Sequence, residues 1–306
     1  VELLAPAGSM DSLMAAIEGG CDAVYLGLSS YSARAFAENF SLDHIAEVIA
    51  YCHIREVRVY VTMNTLIYES EFKGIQKAVD ILYQADVDGL LIQDLGLYHY
   101  VQTVYPDLDL HCSTQMHIHN LAGVRFMKSQ GAKRVVVARE SSLETIQKMC
   151  QEGIEIEAFV YGAVCIAYSG QCLMSSSLKN RSANRGACAQ NCRLKYHKDG
   201  VCSKDGFYTL SPKDLNAIEL VPNLIEAGVA SLKIEGRMKN PAYVYTVTKA
   251  FREAIDAYYE GRSYHLSKER ETELLKLTAV FLRGIWLTLL LWKEWHMIDQ
   301  IIKEFI

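Results

Sequence analysis

The sequence predicts an α/β protein built as a (β/α)8 TIM-like barrel, and three observations lead to this fold class. Short apolar or β-branched segments recur through the first 235 residues, and amphipathic segments separate most of them. Eight such alternations favour parallel strands that close on themselves. A length of 306 residues, half of them hydrophobic, suits one barrel. The alternative is a doubly wound open sheet, but residues 5–9 read APAGS and lack the G-x-G-x-x-G loop that usually follows its first strand.

The predicted strands share β-branched or apolar residues and short length. In chain order they are Glu2–Ala5, Ala23–Gly27, Val57–Thr62, Gly89–Ile92, Asp109–Cys112, Arg134–Val137, Glu155–Val160 and Ser231–Ile234.

Between the strands, apolar residues recur at i, i+3, i+4 and i+7, which indicates helices in segments such as SMDSLMAAIEGG, LDHIAEVIAYCHI and FKGIQKAVDILYQA. Ser9 or Asp11 is the predicted N-cap of the first helix, and Gly19–Gly20 its stop. A last helix, Pro241–Tyr259, is expected to pack outside the barrel.

The spacing between the seventh and eighth strands is far longer than elsewhere. Residues 162–211 are therefore predicted to form an insertion at the C-terminal mouth of the barrel, where barrel enzymes place their chemistry. We expect a barrel over residues 1–260, including this insertion, and a C-terminal helical appendage over residues 261–306, which is atypical or truncated.

Composition points to a soluble cytoplasmic protein. The first residues lack a basic segment followed by a long apolar one, and the apolar run Ile285–Trp292 is too short to span a membrane. We therefore expect no membrane partner. A formal charge of −5 argues against a generally basic surface for nucleic acid, although a local patch remains open. In the cytoplasm, nine cysteines predict metal binding or catalysis rather than disulfides.

The insertion carries a cluster of four cysteines in the pattern C-x6-C-x15-C-x3-C, namely Cys165, Cys172, Cys188 and Cys192. This spacing matches no standard ferredoxin or zinc-ribbon motif. Four thiolates on a Gly-rich segment are expected to bind zinc or a [4Fe–4S] cluster, which would stabilise an insertion poor in large apolar residues. The alternative is a loop with scattered buried thiols. The remaining cysteines lie in apolar patterns and are predicted to be core residues: Cys21, Cys52, Cys112, Cys150 and Cys202.

Several segments carry a family resemblance. EAFVYGA precedes Cys165, YSGQ precedes Cys172, and RGACAQNCR holds the last two cysteines of the cluster. With KIEGR at 233–237 and the early LLAPAGS and AVYLG, the chain resembles peptidase family U32, the collagenase-like peptidases, from residue 2 to about 260.

The resemblance implies either of two activities. The family was named for proteolysis, so a peptidase (a protease, and hence a hydrolase) is one expectation. Other branches act in hydroxylation of transfer RNA uridine at position 5, of ribosomal RNA and of ubiquinone. Such branches use a cysteine-bound [4Fe–4S] cluster, and the tRNA branch, which this chain resembles most, draws on prephenate. By this resemblance Cys165, Cys172, Cys188 and Cys192 would be the cluster ligands.

The machinery of a hydrolase is not evident in the sequence. Neither H-E-x-x-H nor G-x-S-x-G occurs, and no histidine lies within the cysteine cluster. A cysteine protease needs a thiolate beside a histidine, which distant residues could still supply.

Residues at predicted strand ends are expected to face the barrel mouth. The candidate catalytic residues are Arg139, Glu140, Tyr161, Glu235 and Arg237. Arg139 and Arg237 suit a carboxylate-bearing molecule such as prephenate, because a guanidinium pairs bidentately with carboxylates. The alternative is that they form salt bridges with Glu140 and Glu235.

Further polar residues are candidates for substrate binding: Asn64, Gln115 and His117, with Asp94 at another strand end. His111, His117 and His119 share strand parity, which makes a second metal site conceivable. The competing prediction is that Gln115 and His117 line the mouth as hydrogen-bonding groups while His119 caps the next helix.

A basic segment of the insertion is a candidate RNA surface. Its members are Lys179, Arg181, Arg185, Arg193, Lys195, Lys198 and Lys204, with Tyr196 and His197 among them and one acid, Asp199. Of these, Arg185, Arg193 and Lys195 are assigned to substrate binding, with tRNA as the expected partner. The alternative is a solvated loop face.

The tail departs from the family after Arg283–Gly284. Trp286, Trp292 and Trp295 fall within ten residues, which indicates a helix docked on the barrel, a homo- or hetero-oligomer contact, or a divergent end. The sequence thus supports three hypotheses: an RNA-modifying enzyme or subunit, a peptidase, and a non-catalytic metalloprotein that works within a complex.

Overall fold

A computed structural model describes residues 1–29, 31–32, 37–197, 206–278 and 287–288. Within these residues the predicted barrel is confirmed, since eight parallel strands form a closed sheet. They are β1 (Glu2–Ala7), β2 (Ala23–Gly27), β3 (Arg58–Met63), β4 (Gly89–Ile92), β5 (Leu110–Cys112), β6 (Arg134–Val136), β7 (Glu155–Gly162) and, after a short added strand, β9 (Ser231–Ile234).

Barrel closure depends on β9, which pairs in parallel with β1 on one side and with β7 on the other. The added strand β8 (Leu215–Asn216) runs antiparallel to the end of β7, and β10 (Leu287–Thr288) extends it. One register shift interrupts the pairing of β7 with β9, between Phe159 and Tyr161. A bulge at this point changes which face of the sheet the following side chain occupies.

The helices surround the barrel. They are α1 (Met10–Glu18), α2 (Ile45–His53), α3 (Phe72–Gln84), α4 (Leu95–Val104), α5 (Leu121–Ser129), α6 (Leu143–Cys150), α7 (Met174–Lys179), α8 (Val221–Glu226), α9 (Pro241–Tyr259) and α10 (Lys268–Thr278).

Capping residues explain several helix starts. Ser9 accepts a hydrogen bond from the Ser12 backbone N–H at 3.3 Å, and α1 ends at Gly19, as the sequence predicted. Asp94 caps α4 and does not point into the mouth. Asn120, rather than His119, caps α5, so the prediction of a histidine cap is wrong.

Apolar side chains fill two layers. The larger lies between the strands and the helices, where Tyr243 and Phe251 of α9 are fully buried. The smaller fills the middle of the barrel with Leu4, Ala23, Tyr25, Tyr60, Leu91 and Val136, and with Phe159 packed against them. Of the predicted core cysteines, Cys21, Cys52 and Cys112 are buried, Cys150 is half-buried against the core, and Cys202 lies outside the described residues.

The C-terminal appendage is described only in part. Helix α10 lies in it, and Arg270 of α10 forms an ion pair with Glu253 of α9. The tryptophans of the tail lie outside the described residues, so the predicted oligomer contact stays a prediction. Among the helices that the structure describes, none has the length and apolar character to cross a membrane.

Candidate active site at the barrel mouth

The carboxyl ends of the barrel strands enclose a small cavity at the mouth. Five of the predicted site residues line it, namely Asn64, Gln115, Arg139, Glu235 and Arg237. Its volume is about 30 Å³, which is room for little more than a water molecule. In this conformation the cavity therefore accepts one functional group of a substrate rather than a whole molecule.

Close approach of glycine backbone fixes Arg237. A Cβ atom on Gly8 would lie 1.7 Å from the Arg237 carbonyl oxygen, and one on Gly27 would lie 2.2 Å from its Nη1. Gly8 therefore requires glycine because the contact is with backbone, whereas a side chain at position 27 would displace the Arg237 guanidinium. The Arg237 Nη1 donates to Ser32 Oγ at 2.7 Å and to Thr62 Oγ1 at 2.9 Å. Three of the family-like segments, which hold Gly8, Gly27 and Arg237, thus meet at one point.

Arg139 is the cation at the mouth that has no acidic partner among the described residues. Its guanidinium lies over the Phe159 ring, 4.9 Å from the centroid, and its buried Nε has no hydrogen-bond partner there. The adjacent Glu140 carboxylate contacts other groups, so the alternative of an Arg139–Glu140 salt bridge is wrong. A guanidinium in this position can receive an anion.

Lys233, which sequence reasoning missed, lies at the floor of the cavity. Its Nζ donates to Glu157 Oε1 at 2.7 Å and lies 4.3 Å from the centre of the Tyr25 ring. Burial lowers the pKa of Lys233, while Glu157 acts in the opposite direction. A lysine at an inward position of a barrel strand was the available signal, since such a side chain must find a partner inside.

Gln115 and Asn64 are held at the rim. Gln115 Nε2 donates to the Asn64 carbonyl oxygen at 3.1 Å, and Gln93 Nε2 donates to the Gln115 carbonyl oxygen at 3.4 Å. These contacts join the ends of β3, β4 and β5.

Tyr161 lies elsewhere, and its predicted place at the mouth is corrected. Its ring is 1% exposed and packs against Tyr243 and Phe251 of α9. The physical reason is the register shift after Phe159, which turns Tyr161 towards the helices.

Ser169 joins the cysteine insertion to the barrel mouth. It is buried, in a left-handed conformation with φ of 39°, and its hydroxyl donates to Glu140 Oε2 at 2.9 Å. The same hydroxyl accepts from the Arg139 backbone N–H at 3.3 Å, and the Ser169 N–H donates to Glu140 at 3.2 Å. Strain of this kind persists where surrounding contacts over-determine it. We call the pair Glu140 and Ser169 the latch.

The histidines of the β5–α5 connection contact the same latch. His117 Nε2 lies 3.2 Å from the Ser169 carbonyl oxygen, and its Nδ1 lies 2.8 Å from Nε2 of Gln171, the neighbour of Cys172. His119 Nε2 lies 3.3 Å from Glu140 Oε1. His111 is instead buried inside the barrel against Tyr60, so the three histidines do not form one site.

The four insertion cysteines lie within 28 residues of the chain, and the charges of the other three act on Cys192. Burial raises the pKa of Cys192; Arg193 opposes this, and the charges of Cys165, Cys188 and Cys172 raise it further. Cys188 is exposed and the other three are half-buried. Its Sγ accepts from the Gln190 backbone N–H at 3.4 Å and from Ser175 Oγ at 3.9 Å. Ser175 is a further supporting residue, because it also accepts from the Ala189 N–H at 3.0 Å.

The donor set fits a soft metal centre in chemistry, because thiolates prefer zinc or iron–sulfur clusters. As arranged, no three His, Cys, Asp or Glu side chains in the described part of the chain form a compact group around one metal ion.

The basic segment is mostly engaged in holding the insertion together. Arg185 pairs with Glu71 at 2.5 Å and donates to the Leu66 carbonyl, which joins the insertion to the β3–α3 connection. Arg193 donates to the Val164 carbonyl at 2.8 Å and to Ser211 Oγ at 3.0 Å. These two arginines are therefore structural contacts in this conformation. Lys195 is exposed, and Lys198 and Lys204 lie outside the described residues.

The relatives of this sequence carry names that describe two different activities. The chain is 40% identical to "tRNA hydroxylation protein P1" of Bacillus subtilis over 286 residues, which cover 90% of this chain and 68% of that protein. It is 36% identical to "Collagenase" of Porphyromonas gingivalis over 303 residues, covering 93% of this chain and 72% of that protein.

Comparison with a solved structure supports the fold, and comparison with a family model identifies the family. A solved structure, that of the U32 peptidase Mk0906, superposes with a TM-score of 0.55 at 13% identity, covering 77% of this chain and 93% of the other. At this identity the match shows the fold alone. Residues 8–290 match the sequence model of the family described as "Peptidase family U32". The chain belongs to peptidase family U32.

Proposed function

We propose that this chain is an RNA-hydroxylating enzyme, or a subunit of one, that carries an iron–sulfur cluster beside the barrel mouth. The reaction would be 5-hydroxylation of uridine in tRNA, and tRNA would be the binding partner. The name of the Bacillus subtilis relative supports this proposal.

The observation that supports the proposal is that Cys165, Cys172, Cys188 and Cys192 lie in one insertion, which Ser169 joins to Glu140 at the mouth. We propose the cluster rather than zinc because the tRNA hydroxylation branch that this chain resembles uses one, and each of the four thiolates would then bind one iron. Such a cluster would supply redox chemistry or hold an oxygen donor.

The mouth would bind a carboxylate-bearing small molecule, with prephenate as the candidate co-substrate. Arg139 has an unpartnered buried Nε, and Arg237 lies on the same cavity. Arg139 would receive the carboxylate, and the Glu235 carboxylate would accept or return a proton there. The latch would hold the cysteine loop over this cavity.

The alternative function is that of a peptidase, which the family name and the Porphyromonas gingivalis relative favour. The mouth does contain a serine, a glutamate and a histidine in contact. However, the Ser169 hydroxyl donates directly to the Glu140 carboxylate, and His119 contacts that carboxylate rather than the serine hydroxyl. A hydrolytic triad needs the histidine between serine and acid. Ser169 is also only 1% exposed, which argues against attack on a peptide.

The deciding experiment is anaerobic purification followed by a visible spectrum and by iron, sulfide and zinc analysis. Wild type should be brown, with about four irons, and Cys188→Ala should lose them. The matched control is Cys112→Ala, a fully buried cysteine of β5, which should keep its iron. A colourless protein with one zinc would make the insertion a structural site. A metal-free protein with reactive thiols and hydrolytic turnover would favour the peptidase.

A further inference from the structure

We propose that Tyr68 and Tyr208 are two stacking positions on which unpaired bases of an RNA loop lie while one nucleotide reaches the mouth. This inference rests on the proposed function and deepens it, because it names single-stranded RNA rather than duplex as the substrate.

Each of the two tyrosines is covered by a cation. The Arg185 guanidinium lies 4.3 Å from the centre of the Tyr68 ring, and Lys195 Nζ lies 5.5 Å from that of Tyr208. Tyr68 is nevertheless 61% exposed and Tyr208 43% exposed. Each ring therefore keeps a large open surface for a stacked base; Lys195 also offers a positive charge to a phosphate beside Tyr208, whereas Arg185 at Tyr68 is already paired with Glu71.

Local contacts hold both rings in place. Glu71 holds the Arg185 guanidinium beside the Tyr68 ring through an ion pair of 2.5 Å. The Tyr68 backbone N–H also donates a hydrogen bond to Glu71 at 2.8 Å. On the other side, the backbones of Tyr196 and Phe207 exchange hydrogen bonds of 2.7 and 2.8 Å, which bring their neighbours Lys195 and Tyr208 together. Fixed aromatic rings lose little conformational entropy on binding.

Charge complementarity favours RNA over a protein partner. The described part of the insertion and its return to β8, residues 163–197 and 206–216, carries six lysines or arginines. Its only acid, Asp214, is buried, whereas the whole chain has a formal charge of −5. The basic charge is thus concentrated in the insertion that holds Tyr208, whereas Tyr68 is followed by Glu69 and by Glu71, the partner of Arg185. Duplex bases are already stacked on one another, so exposed rings select unpaired ones.

The test is equilibrium binding of a fluorescent RNA hairpin with a uridine-containing loop, compared with a fully paired duplex of the same length. Tyr68→Ala and Tyr208→Ala should each weaken hairpin binding by about 5- to 150-fold, the range expected for loss of one stacked base. Tyr68→Phe and Tyr208→Phe should bind like wild type, because they keep the ring. Tyr259→Ala is the matched control, since Tyr259 is 60% exposed at the opposite end of the barrel.

Leucine substitutions separate base stacking from apolar docking of a protein. Tyr208→Leu should lose hairpin affinity as Tyr208→Ala does; retention of affinity would contradict stacking. Equal binding of hairpin and duplex, unchanged binding by the alanine variants, or no RNA binding at all would each overturn the inference. The proposed function is judged separately, by 5-hydroxyuridine in tRNA from cells with and without the gene and by the iron content of the purified protein.

Discussion

Two arginines near the ends of β6 have opposite surroundings, and the contrast separates the N-terminal end of the barrel strands from the mouth. Arg134, at the N-terminal end, contacts Glu2 at 2.6 Å, Glu155 at 2.7 Å and Glu157 at 3.2 Å. Arg139, just beyond the other end of the strand, has no carboxylate partner among the described residues. The chain neutralises the first charge itself and leaves the second for a ligand.

The pKa shifts at the N-terminal end of the strands follow from this pairing. Burial by itself lowers the pKa of Arg134, but Glu157 and Glu2 more than offset it and raise the pKa. The pKa of Glu2 is lowered because Arg134 outweighs the effect of burial. Removing one partner from a buried ion pair of this kind strongly lowers the free energy of unfolding.

The largest expected effect is on stability, from Arg134→Met. It would leave Glu2 and Glu157 buried without their guanidinium, which should cost about 3 to 5 kcal/mol of unfolding free energy. Urea denaturation measures this loss. A change below about 1 kcal/mol would mean that water or Lys233 replaces the arginine, and the two ends of the barrel would then not differ as described.

A smaller, local effect is expected from Glu140→Ala, which removes the acceptor of the latch. Hydrogen bonds to a charged group contribute about 1.5 to 3 kcal/mol each, so the cysteine insertion should open more often while the barrel stays folded. Limited proteolysis and hydrogen exchange over residues 163–197 would record this. Glu144→Ala, which removes an exposed partner of Lys148, is the control and should change neither. Loss of global stability instead would give the latch a core role.

Next comes a pH effect from His111. Burial, followed by the charges of Arg134 and Lys233, holds the pKa of His111 well below 6.5. Because the unfolded state binds the proton more readily, His111 destabilises the fold as pH falls below about 6.5, by up to about 1.4 kcal/mol per pH unit. The His111→Phe variant should lose less stability than wild type between pH 7 and pH 5 in urea titrations. Parallel pH profiles would show that His111 is not responsible.

The smallest effect on stability is expected from Arg139→Met at the mouth. No carboxylate is orphaned, so the unfolding free energy should change by less than about 0.5 kcal/mol. Prephenate binding, measured by calorimetry, should nevertheless weaken at least about tenfold, since a charged hydrogen bond is worth about 1.5 to 3 kcal/mol. Arg139→Lys should restore little of it, because an ammonium lacks the planar fork. Unchanged prephenate affinity would remove Arg139 from the site.

Residues whose position follows from local rules were the ones that sequence reasoning placed well. Strand ends put Asn64, Gln115, Arg139, Glu235 and Arg237 on one cavity, because parallel strands of a barrel open at the same end. The prediction that Tyr161 lies at the mouth was wrong because one bulge reverses the side-chain parity of β7. Lys233 was not predicted because it lies within β9 and not beyond the strand end, where the other site residues lie.

The sequence by itself determined the barrel, the place of the insertion and the cysteines within it, because strand and helix periodicity act over a few residues. The tertiary structure decided which charged side chains already have partners within the chain. Arg185 and Arg193 look alike as free cations in the sequence, yet carbonyl groups and Glu71 engage them, while Arg139 has no acid. Pairing depends on residues far apart in the chain, and no local pattern records which distant carboxylate or carbonyl will lie within reach.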